Sequence, residues 1–166
     1  GMFMKKLAIF LSILFVCNVS IAQTKKVDPL GEVGKVLQVF KVKAKAPAKV
    51  RWITKLNKFL PLVLKNKKTP TKTKNKIKLE VIKKVGSSLS GVIASPKLAT
   101  KLKLSAISLM LVLKNEIYKI NMDILPAIEQ SKIILAKSND NKILEATAKM
   151  LGVLTKHKKQ AVGALI

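Results

Sequence analysis

Acidic residues are scarce in this chain: eight aspartates and glutamates stand against 33 lysines and arginines, leaving a formal charge of +25 over 166 residues. So few carboxylates exclude internal ion pairing as a way to neutralise the lysines. A codon bias toward lysine would have enriched glutamate as well. Uncompensated charge of this size opposes compaction and favours association with anionic polymers or membranes. Arginine is nearly absent too, with Arg51 the only one. Lysine offers a hydrated point charge in place of the planar fork that reads base edges or grips phosphate bidentately, so sequence-specific nucleic-acid recognition is excluded as a leading class. Cys17 is the sole cysteine and His157 the sole histidine. The common zinc sites and cysteine or histidine relays therefore cannot be assembled within one chain. His157, set in Lys156-His157-Lys158-Lys159, reads as a surface residue whose neutral form is favoured by its neighbours.

The first residues carry an export signal. Lys5 and Lys6 precede an apolar run from Leu7 to Cys17, broken only by Ser12, and Ser20-Ile21-Ala22 supplies small residues at the cleavage positions. Residues 1–22 are read as a signal peptide cleaved after Ala22, with Gly1 ahead of Met2 set aside as an added residue. A spanning helix needs ~20 apolar residues, more than this segment holds. Lys25 and Lys26 run against the charge asymmetry that orients such signals. Val16 before Cys17 does not fit a lipoprotein signal, which wants a small residue there. Cleavage removes the only cysteine, and the expected location is the periplasm or the exterior.

Beyond the signal, the hydrophobic spacing predicts an all-α protein: a small helical bundle (77–166) preceded by a basic helical arm (23–64) and a lysine-rich linker (65–76). Asp28-Pro29 caps a first helix over 29–43, and the Lys/Val/Ala alternation up to Pro47 reads as its frayed end and a basic linker. Trp52, Ile53, Leu56, Phe59 and Leu60 share one face of a helix over 49–60, opposite Lys49, Arg51, Thr54, Lys55 and Lys58, and Pro61 is expected to kink or end it. Such a stripe suits either a packed helix or a membrane interface with aromatic rings at the headgroups. Residues 65–76 have no apolar side chain except Pro70 and are expected to be a mobile loop. Further helices are predicted over 77–94, with Gly86 and Gly91 weakening it, and over 96–121, started by Ser95-Pro96. The latter contains the apolar run Leu104–Leu113 and is the candidate central helix. Pro126 and the Ser138-Asn139-Asp140-Asn141 turn set off the last two.

Catalytic chemistry is not indicated. The carboxylates stand singly, Glu80 with Lys84 and Glu145 with Lys149 are spaced for helix-surface pairs, and Glu116 with Asp123 near Tyr118 is weak ground for acid–base work. Gly86-Ser-Ser-Leu-Ser-Gly91 matches neither a nucleophile elbow nor a phosphate loop. The chain therefore reads as a non-enzyme without cofactor, metal or evident small-molecule substrate. The function expected is nonspecific, electrostatic binding of anionic membrane surfaces or polyanions: lipid headgroups, acidic polysaccharide or extracellular DNA. Its candidate residues are Lys49, Arg51, Trp52, Lys55, Lys58, Phe59, Lys65, Lys67, Lys68, Lys72, Lys74 and Lys76. A membrane-active toxin, and a structural subunit docking on an envelope protein, are the alternatives.

Overall fold

The computed structural model describes residues 26–116 and 125–165, with side chains as far as Lys156. Residues 1–22, read above as a signal peptide, lie outside them. The described residues form six helices and no strand, in agreement with the all-α expectation.

Helix α1 (Pro29–Val39) follows an extended Asp28, and its proline in the first turn loses no hydrogen bond because that N–H would be unpaired anyway. It is shorter than the 29–43 span expected. Phe40 leaves the helix in an extended conformation and turns its ring onto Trp52, at 5.3 Å between centroids.

Helix α2 (Ala46–Lys65) overturns one expectation and narrows another. Pro47 starts a helix where a linker was read, since proline in the first turn is preorganised for it. Pro61 lies inside the helix without ending it. An interior proline costs about 3 kcal/mol. Continuing past it, however, buries Val63 and packs Leu64 against the core, and burying such side chains is worth roughly 1.5–3 kcal/mol each. Burial wins.

The lysine-rich linker is also corrected. Only residues 66–70 form a turn, and α3 (Thr71–Ala94) takes in Lys72, Lys74 and Lys76 as its first turns. These carry almost nothing into the core themselves. They extend, at the low cost of helix propagation, a helix nucleated by the buried stripe Ile77, Val81, Val85, Leu89 and Val92. Gly91 brings no neighbour close, as nothing lies within 4 Å of a Cβ built there. Ser95, extended ahead of Pro96, ends α3. The proline thus closes one helix instead of opening the next, and α4 (Thr100–Val112) begins four residues later than predicted, with Ala99 at its cap.

Helix α5 (Leu125–Lys137) has Pro126 as its second residue. In the turn before α6 (Asn141–Leu165), Asp140 Oδ1 accepts the N–H groups of Lys142 and Ile143 at 2.9 and 3.3 Å and so caps the helix.

Helices α3, α4, α6 and α5 pack in a closed ring, each on the next. Helix α2 lies against α4 and α3, and α1 against α2. One hydrophobic core runs from Val33 to Leu154. Residues expected to form a separate arm are therefore part of the bundle: Ile53, Leu56 and Leu60 are wholly buried in the same core as Leu89, Ile107 and Met150. Helix α4 touches α2, α3 and α6, and its apolar run supplies Ala106, Ile107, Leu109, Met110 and Leu113 to the core, while α3 touches α1, α2, α4 and α5.

Candidate anionic-surface interface

Sequence spacing alone sets out the main feature of α2. Positions 51, 55, 58, 62 and 65 recur every three or four residues, so Arg51, Lys55, Lys58, Leu62 and Lys65 fall in one file along the helix. All five are exposed. The file points directly away from the buried side made by Val50, Ile53, Leu56, Leu60 and Val63. On one flank, Trp52 meets Phe40 at the end of α1. On the other, Asn57 Nδ2 donates to the Ser105 carbonyl of α4 at 2.6 Å. Docked on both sides and beneath, α2 has its cationic file as its free face.

No carboxylate interrupts this region, for the sequence holds none between Glu32 and Glu80. The ion pairs among the described residues all lie elsewhere: Lys35–Glu32, Lys78–Glu116, Lys132–Glu129 and Lys149–Glu145. Lys58 Nζ rests 5.3 Å from the Phe59 ring centroid, a contact that covers the aromatic without neutralising the charge.

The other candidate residues are distributed around this file. Lys67 and Lys68 are exposed in the turn that follows it, Lys72 and Lys76 are exposed on α3, and Lys49 and Lys74 are half-buried. Trp52 and Phe59 are half-buried and pack against the core, so the stripe they belong to is used, at least in part, for folding. Sequence reasoning passed over Lys41, Lys43 and Lys45, exposed in the turn before α2. Their alternation with Val42 and Ala44 was visible, but it was taken for a linker.

Two lysines hold the fold together. Lys84 was expected to pair with Glu80; it donates instead to the Leu37 carbonyl at 2.8 Å, near the C-terminus of α1, where unpaired carbonyls and the helix dipole favour a cation. Lys78 reaches Glu116 at 2.9 Å, tying α3 to the turn after α4. That occupies Glu116, while Asp123 and Tyr118, its suggested companions, lie outside the described residues. His157 lies beyond the described side chains. A groove of about 390 Å³ between α1 and α3 is lined by Gly34, Leu37, Gln38, Glu80, Lys83 and Lys84. Among the described residues no three histidine, cysteine or acidic side chains gather to hold a metal, and no helix is long and apolar enough to cross a membrane.

Lys103 stands apart. It is buried in α4 at 2 % exposure, beside Ala106, Ile107 and Met110 on the same helix face. Desolvation of its ammonium pushes its pKa below the usual lysine value.

Comparison with family models, with curated proteins and with solved structures finds no match to this chain. Its function is argued from its residues alone.

Proposed function

We propose that the protein is exported and works by binding anionic surfaces or polymers through lysine electrostatics, without catalysis, metal or cofactor. The observation that carries this reading is the exposed cationic file of α2 within a stretch of sequence free of carboxylates. Adjacent cations in such a file stand about 6 Å apart, where two unit charges repel by roughly 0.7 kcal/mol in water before salt screening. The folded protein carries that repulsion unrelieved. An anionic partner removes it and releases its own condensed counterions, so affinity follows salt and not sequence.

The test is cosedimentation of the full chain with acidic and neutral partners: DNA, alginate and phosphatidylglycerol vesicles against dextran and phosphatidylcholine vesicles. Binding to the acidic set alone, falling steeply as salt rises from about 50 to 200 mM, is the expected result. Equal binding to both sets, or none to either, removes the reading.

A second reading rests on α4. It is apolar on nearly all sides and held at the centre of amphipathic helices, a composition suited to a membrane-active toxin that unfolds to insert it. Leakage of dye from acidic vesicles separates that activity from passive binding.

A further inference from the structure

We infer that the partner of the α2 file is a linear polyanion of high charge density, a nucleic-acid duplex, lying along Arg51, Lys55, Lys58 and Lys65. The inference rests on the reading above and narrows it to one face and one partner.

Two observations choose the duplex over a lipid surface. An interfacial helix buries its apolar face among the headgroups, and in α2 the residues that would do so are buried in the core (Val50, Ile53, Leu56, Leu60 and Val63) or half-buried against it (Trp52, Phe59 and Leu64). What α2 presents to solvent is cationic, with Leu62 the one apolar side chain in the file. The file, with Thr54 beside it, is also a narrow ridge between flanks that carry the Phe40–Trp52 and Asn57–Ser105 contacts. Fourteen residues of helix rise separate Arg51 from Lys65, about 21 Å, an axial length over which a duplex carries roughly twelve charges at one per 1.7 Å. Three of the four cations are lysine point charges, which derive their affinity from counterion release, and that is greatest on the polymer of highest linear charge density. Arg51 is the only forked donor in the file, too little to read base sequence.

The experiment compares three full-length proteins on a short DNA duplex, recording the logarithm of affinity against the logarithm of salt concentration. The face variant carries Arg51→Gln, Lys55→Gln, Lys58→Gln and Lys65→Gln. The control loses equal charge from exposed positions on other helices: Lys83→Gln, Lys137→Gln, Lys142→Gln and Lys156→Gln. A milder pair, Lys55→Gln with Lys58→Gln, guards against unexpected changes in folding, and circular dichroism confirms helix content for each. The face variant is expected to lose about 3.6 from the salt slope and the milder pair about 1.8, with the control losing less than about 1. Equal losses in face and control variants would overturn the assignment to α2 while leaving polyanion binding in place. Tighter binding of the wild type to phosphatidylglycerol vesicles than to duplex of equal total charge would overturn the choice of partner. Failure of the wild type to bind any polyanion would remove the proposed function and this inference with it.

Discussion

Replacing Lys103 by methionine should stabilise the protein, which is the opposite of what a conserved-charge argument would suggest for a lysine-rich chain. The side chain is 2 % exposed, set beside Ala106, Ile107 and Met110 on one face of α4, and its ammonium is desolvated there. Desolvating a polar group without full compensation costs roughly 1–3 kcal/mol by mutational measure. Methionine has similar length and flexibility and fills the same space beside Ile107 and Met110. A gain of about 1–3 kcal/mol corresponds to a rise in Tm of roughly 2–10 °C for a chain of this size. The gain must also depend on pH. Because burial lowers the folded-state pKa of Lys103 below its unfolded value near 10.5, the unfolded chain binds more protons between the two. Stability contributed by this site therefore rises with pH through that window. The advantage of Lys103→Met is largest at neutral pH and shrinks as pH approaches 10.5. Paired thermal melts of wild type and variant at pH 7 and about 9.5 measure both effects. A neutral or destabilising Lys103→Met, or an equal Tm difference at both pH values, would refute the reasoning.

Other outcomes follow from individual contacts. Glu145 accepts a hydrogen bond from Lys149 at 2.6 Å, which holds its carboxyl below the usual glutamate range; its small contribution is present above the unfolded pKa and is lost as pH falls through the folded one. Lys149→Ala should bring the Glu145 pKa back up in an NMR titration with almost no change in Tm, since the pair is fully exposed. Phe40→Ala opens the contact with Trp52 and should cost about 2–4 kcal/mol, with a red shift of Trp52 emission as the ring gains water; an unshifted spectrum would mean that α1 does not dock as described. Pro61→Ala should stabilise α2 by roughly 1–3 kcal/mol, read as an increase in denaturation midpoint, because an N–H is restored toward the Asn57 carbonyl.

The helical class and the core face of α2 were legible because their signal is periodic: Ile53, Leu56 and Leu60 name their own side of the helix. Boundaries were less so, and prolines account for most of the differences. Pro47 opens α2, Pro61 is carried within it and Pro96 closes α3, and which of these a proline does depends on packing beyond its own residue. Residues 71–76 looked like a loop because a segment without apolar side chains cannot hold itself. It is held by continuity with the Ile77 stripe, which local composition does not register. Of the candidate site, Arg51, Lys55 and Lys58 were placed on one face by spacing, whereas Lys65 was assigned to the linker because Pro61 was expected to kink or end the helix. Trp52 and Phe59 could not be resolved between core and interface, because the same stripe serves both and only the position of Phe40 decides between them.

The central claim is that the folded bundle, and not an unfolded or inserted form, engages polyanions through exposed lysine. Its most direct measurement is a salt titration of the full chain bound to duplex DNA, followed at once by anisotropy for affinity and by circular dichroism for helix content. The account expects affinity to fall about a hundredfold between roughly 50 and 200 mM salt, as four phosphate contacts require, while helicity stays constant throughout. Salt-independent binding, or binding accompanied by loss of helical signal, would contradict it.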